Sequence, residues 1–255
     1  MDRSPAGLAS VKHAVLLALV LSSSSRATEC PLPPGAAPAL AAADAETRLK
    51  FIQKGMRRAA HKARIWAWSG AGALVAVGSF QLTGAIKVPN RGDRIDLWAG
   101  AASIFFSVAQ MAAVPPLVTI DQWTVDRHVR KAGPDGDRCR LLDEAERLLV
   151  RDARSEEQGT GLGMQVATLV FNFGTGLVLG FGYNRWDSAA SNIVIGTALG
   201  ELQILTQPTE SVTLLQRYRA GDLSAPKKSE GAAVRWALVP SLGRDRAALS
   251  VALSF

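Results

Sequence analysis

Residues 159–183 read GTGLGMQVATLVFNFGTGLVLGFGY, 25 positions without a charge. A helix of roughly 18 to 20 such residues crosses the hydrocarbon of a bilayer. The stretch also carries a second pattern. Phe171, Phe173, Thr175, Leu177, Leu179, Phe181 and Tyr183 alternate with Asn172, Gly174, Gly176, Val178, Gly180 and Gly182. That period of two fits a lipid-facing strand. No neighbouring segment repeats it, so helix is the reading adopted.

Three further runs flank this one. Residues 65–86 and 97–120 hold no charge, and 193–206 holds only Glu201. The connections within each pair, 87–96 and 184–192, are short, which predicts two antiparallel helical hairpins over about 65–120 and 159–207. Trp66, Trp68, Trp98, Trp123, Tyr183 and Trp186 lie near segment ends, where amphipathic rings sit in membranes. Gly176 and Gly180, four apart, suit close helix approach, although a Gly-rich chain also produces such pairs by chance.

Each hairpin follows a charged amphipathic segment. In 46–64, Leu49, Ile52, Met56, Ala59 and Ala63 recur at helical spacing, with basic residues between them. Arg57, Arg58, Lys62 and Arg64, running into Trp66 and Trp68, suit an anionic lipid surface; a solvated helix face is the plainer alternative. In 140–157, Leu141, Ala145, Leu148 and Leu149 face one way, as in a helix packed on its neighbours. Thr83, Gly84 and Pro116 recur as Thr175, Gly176 and Pro208 at one offset of 92, the trace of a repeat.

The ends differ from this middle. Residues 1–27 have a basic start, the apolar core of residues 14–21 and small Ser25 and Ala27, the pattern of a cleaved signal peptide. The Pro/Ala-rich residues 28–44 read as a flexible tether. Residues 218–232 read as a polar linker. In 233–255 the period changes to two, and Leu249, Val251, Leu253 and Phe255 close a predicted β-hairpin. The fold class is therefore mainly α, with two membrane-type hairpins, preceding amphipathic helices and a small C-terminal β-hairpin.

Charge gives conflicting orientation signals. Of 26 Lys and Arg after residue 27, 22 fall in segments on one side of a four-span arrangement and 4 at the hairpin tips. The positive-inside tendency would hold the 22 in the cytoplasm. A cleaved signal peptide would place them outside. Cys30 and Cys139, the only cysteines, fall on that same side. They would pair in an oxidising compartment, with two separate thiols as the alternative.

No catalytic, metal or nucleotide motif is present, and the three histidines are scattered, so neither enzyme activity, cofactor, metal nor nucleic-acid partner is expected. The polar residues inside apolar runs are the candidates left: Glu201, Gln203 and Asn172. An ionisable group at mid-bilayer costs roughly 2.5–3.5 kcal/mol on insertion scales. The series Gly200-Glu201-Leu202-Gln203 with Thr206-Gln207-Pro208, and the closing strand, resemble uncharacterised secreted or membrane proteins of high-GC bacteria. The terminal strand is also similar to the closing strands of outer-membrane β-barrels. The expectation is a non-enzymatic protein of the cell envelope, exported, its partners the lipid bilayer and either a second copy or an envelope protein. Which envelope membrane holds it stays open. The alternative is an outer-membrane β-rich protein, or a small channel or transporter component using Glu201.

Overall fold

A computed structural model describes residues 30–113 and 115–224 in full; the expected signal peptide (1–27) and β-hairpin (233–255) fall outside them. Among the described residues the chain is mainly helical. Helix α1 is Ala45–Lys87, α2 Arg91–Ala113, α3 Val118–Ala132, α4 Arg138–Thr160, α5 Leu162–Leu177, α6 Trp186–Leu205 and α7 Glu210–Arg219. A π-helical turn, Val178–Gly182, extends α5.

Helix α1 begins at Asp44, whose side chain accepts from the Thr47 amide at 2.7 Å, a standard N-cap. It then runs 43 residues without a break, about 64 Å at 1.5 Å per residue. Its two halves do different work. The first half, with α3, α4 and α7, builds a headpiece around Leu49, Phe51, Ile52, Met56, Val125, Leu142, Leu149, Leu214 and Tyr218. Gly55 permits the close approach of α7, since a Cβ there would lie 2.3 Å from Leu214 Cδ1. The second half pairs with α2, and α5 pairs with α6, as two hairpins.

Several expectations need correcting. The apolar face Leu49, Ile52, Met56, Ala59 and Ala63 is buried in protein, so this helix does not lie on a lipid surface. Residues 30–44 are a docked strap, not a flexible tether. Leu40 is fully buried in the core, the Ala37 amide donates to the Arg219 carbonyl at 2.7 Å, and Cys30 is disulfide-bonded to Cys139. The expected linker starts too early at 218, because Tyr218 belongs to α7 and fills the core. The hairpin tips are shorter than predicted. Charged Arg91, Asp93, Arg94 and Asp96 open α2, and Asn90 Oδ1 accepts from the Gly92 amide at 2.9 Å. Pro115 and Pro116 stand between α2 and α3, since proline cannot donate within a helix. The run 97–120 is thus part span and part headpiece. The alternation in 171–183 is helical; Gly176 sits in the contact between α5 and α6, where a strand reading assigned it a face.

The repeat is more extensive than three matches. Buried Leu49, Ile52, Met56, Ala59, Ala60 and Ala63 recur 93 residues later as buried Leu142, Ala145, Leu149, Asp152, Ala153 and Glu156. Val118, Asp121 and Val125 recur at the same offset as Ser211, Leu214 and Tyr218, again all buried. Helix α2 ends at Ala113 and α6 at Leu205; α3 opens at Val118 and α7 at Glu210. Each half is therefore headpiece helix, outgoing hairpin arm, returning hairpin arm, headpiece helix. Both halves run in the same sense.

Candidate functional site

Three stretches are long and apolar enough to cross a membrane: Ala45–Lys87, Arg91–Ala132 and Leu162–Gly182. Only 11%, 6% and 17% of their apolar windows is buried inside the protein, so the apolar surface faces outward. Soluble monomers rarely expose contiguous apolar patches beyond a few hundred Å². Trp68, Phe80, Phe106, Val170, Phe171 and Phe181 lie on this surface. Helix α6, which carries Glu201, is not among the three.

The hairpins are joined at both ends. At the tips, Arg185 reaches from the second hairpin to Asp93 at 3.3 Å and also pairs with Asp96, which accepts from Ser188 at 2.7 Å. These carboxylates of α2 tie one hairpin to the other. Near the headpiece, Trp66 Nε1 donates to Thr206 Oγ1 at 3.3 Å. Midway, the Phe106 and Phe171 rings stack at 5.7 Å.

The predicted polar trio does not assemble. Asn172 is buried, but its Nδ2 donates to the Thr168 carbonyl at 2.8 Å. Its Oδ1 lies against Gly196, where a Cβ would come within 2.0 Å. Glu201 and Gln203 are half-buried, and neither side chain makes a hydrogen bond or ion pair among the described residues. The predicted lipid-facing basic residues are mostly held within the protein. Arg57 makes a bidentate contact with Asp126, Lys62 pairs with Glu210, and Arg64 donates to Gln122 Oε1 at 3.2 Å. Arg58 is half-buried on α1, its Nε donating to the Lys54 carbonyl at 3.4 Å.

The polar chemistry that sequence reading missed lies inside the headpiece. Arg48, almost fully buried, donates to Glu146 at 2.6 Å, to Tyr218 Oη at 2.9 Å and to the Pro31 carbonyl at 3.2 Å. One guanidinium thus fastens the strap, α4 and α7 together. Burial and the adjacent Glu146 carboxylate push the Tyr218 phenol well above its ordinary value. Glu156 accepts from the Ser211 amide at 2.8 Å and the Val212 amide at 3.2 Å, capping α7 from a neighbouring helix. Burial raises its pKa, against the lowering effect of those hydrogen bonds.

Asp152 sits beside this cap, buried, with neither oxygen meeting an N–H or O–H donor. Burial, then the hydrogen bond to and charge of Asp121, push its carboxyl up to about 9. Burial thus favours its neutral form beside Asp121, whose carboxylate accepts from Arg151 Nε at 2.9 Å. In the first repeat the equivalents of Asp152, Glu156 and Ser211 are Ala59, Ala63 and Val118, an all-apolar cluster. A signal for the acidic set existed in the sequence. Asp152 and Glu156 continue the stripe Leu141, Ala145, Leu149 at helical spacing.

A groove of about 770 Å³ opens between the strap, α4 and α7. Cys30, Cys139, Arg147, Arg151, Arg154 and Arg219 are among the residues that line it. His128 Nδ1 meets Glu144 at 2.7 Å, and no group of three metal-ligating side chains converges among the described residues. Comparison with family models, curated proteins and solved structures finds no match to this chain.

Proposed function

We propose that this chain is a non-enzymatic scaffold of the cell envelope, held in the bilayer by its two hairpins and presenting the headpiece on the oxidising side. The observation that carries the reading is the apolar surface of three span-length helices, facing outward next to a headpiece with its own buried core. The Cys30–Cys139 bond supports export, because such bonds persist in oxidising compartments. So does the signal-peptide pattern of 1–27. The basic excess on the headpiece side does not oppose this. The positive-inside tendency acts through short loops, and folded domains translocate largely regardless of charge. Much of that charge is paired within the headpiece, as Arg48, Arg57 and Arg151 show. Residues 233–255 complete the reading as a β-hairpin appended to the headpiece side.

The test uses membranes from cells expressing the full chain with Asn90→Cys at a hairpin tip or Arg130→Cys on α3. The protein stays in the pellet after carbonate washing. Arg130→Cys reacts with an impermeant maleimide on intact cells, whereas Asn90→Cys reacts only after permeabilisation. Release by carbonate removes the membrane reading; the reverse labelling pattern removes the orientation.

A further inference from the structure

The arginine-lined groove of the headpiece is left unexplained by a scaffold role. Its charges are not equivalent. Arg147 is held by Asp143 at 3.0 Å, and Arg151 by Asp121. The groove's other carboxylate, Glu146, is taken up by Arg48 and Tyr218. Arg154 and Arg219 have no acceptor among the described residues, and Nε of Arg219 is shielded from solvent without one. A buried guanidinium donor without an acceptor is costly, and an oxyanion is the group that relieves it, most strongly when it accepts two parallel N–H donors.

The groove also has a direction. Arg154 and Gln158 line, in addition, a shallower depression with Gly161, Gly163, Met164 and Ala167. Glu157 lies there too, so the positive charge is concentrated on the Arg154 side. This depression is the first turn of α5, the span whose exposed Leu162, Met164 and Val166 begin the apolar surface. Helix α5 starts at Gly161 without a side-chain cap, so its first amides add partial positive charge. Arg154 stands about two helical turns before Gly161, at the height where headgroups meet a span. A charged recess running into lipid-facing surface fits an amphiphile and is ill suited to a free anion.

We propose that the groove binds the phosphate of an anionic phospholipid, with Arg154 at the mouth and Arg219 deeper inside as its ligands and the acyl chains lying along the start of α5. Guanidinium forks match phosphate geometry, and the bilayer supplies phosphate at that height. The inference rests on the bilayer reading above, so the two are tested separately.

Full-length protein is first floated with neutral phosphatidylcholine vesicles; failure to float overturns the bilayer reading itself. Protein in neutral detergent is then titrated with short-chain phosphatidylglycerol, phosphatidylcholine or inorganic phosphate and read by native mass spectrometry. The expected result is retention of phosphatidylglycerol at least tenfold above phosphatidylcholine. Arg154→Gln/Arg219→Gln, with unchanged helical circular dichroism, loses that preference, and Arg130→Gln on α3 keeps it. Asp143→Asn, which frees Arg147, raises retention and keeps the test independent of the double variant. Equal retention by the double variant, an equal loss in Arg130→Gln, or no gain in Asp143→Asn overturns the site. Displacement of phosphatidylglycerol by equimolar inorganic phosphate overturns the lipid as its ligand.

Discussion

Asp152 sets the pH response of the headpiece. Its folded pKa, about 9, lies above the ordinary carboxyl value of 3.8, so the folded state holds a proton the unfolded chain releases. The sign follows. The stabilisation is fully present below the ordinary carboxyl pKa, declines as pH rises, and is gone by about pH 9. Asp152→Asn keeps a donor for Asp121 and removes the titration. Its thermal midpoint should exceed wild type at pH 8 and change less between pH 5 and 9, measured by circular dichroism or scanning fluorimetry. A steeper pH dependence in the variant would refute the assignment. Glu156, also buried, is pushed upward by that burial, while the amide N–H groups at the start of α7 act in the opposite direction. The stripe read from 140–157 stopped at Leu149; Asp152 and Glu156 extend it at helical spacing, but a stripe pattern does not say which carboxyl is capped, paired or protonated. That information lies in α3 and α7, which are distant in sequence.

At the scale of elements, the hairpins depend on small residues at their contact. A Cβ on Gly176 would lie 2.5 Å from Ile193 Cγ1, and one on Gly196 would lie 2.0 Å from Asn172 Oδ1. Gly196→Leu should separate α5 from α6. Disulfide cross-linking of cysteines placed across that contact would read the separation, and undiminished cross-linking would argue against it. The strap is the second element-scale device. Cys30 and Cys139 close a loop 109 residues apart, and chain entropy assigns such a closure about 4–5 kcal/mol. Reduction, or Cys139→Ser, should lower the thermal midpoint by several degrees and expose residues 30–44 to protease, while the hairpins stay protected in detergent. Run length and charge segregation revealed the long apolar helices because both are properties of contiguous sequence. The strap escaped notice because its anchors are single residues, Leu40, Ala36 and Cys30, scattered through a Pro/Ala-rich composition that resembles a tether. The short tips escaped notice because charged Arg91 and Asp93 read as loop, although charged residues are ordinary in a helix's first turn.

At the scale of the molecule, two units share an order of elements and a buried register but not their chemistry. The first unit packs alanines and Val118 where the second places Asp152, Glu156 and Ser211. The second unit therefore carries the titratable interior and, through Arg154 and Arg219, most of the groove. Three hairpin residues showed an offset of 92; the headpiece half of the repeat, in a register of 93, was hidden because identical burial is filled by different side chains. The units meet in sequence at residues 133–137, an exposed turn opened by Gly133 in the left-handed region (φ 65°). The sulfur bridge spans this same turn, from the strap before the first unit to the first turn of α4 in the second. Residues 30 to 139 thus form a covalent ring with the junction inside it. A nick at that junction would leave one molecule of unchanged mass, apart from a water, that parts into two half-proteins only under reductant.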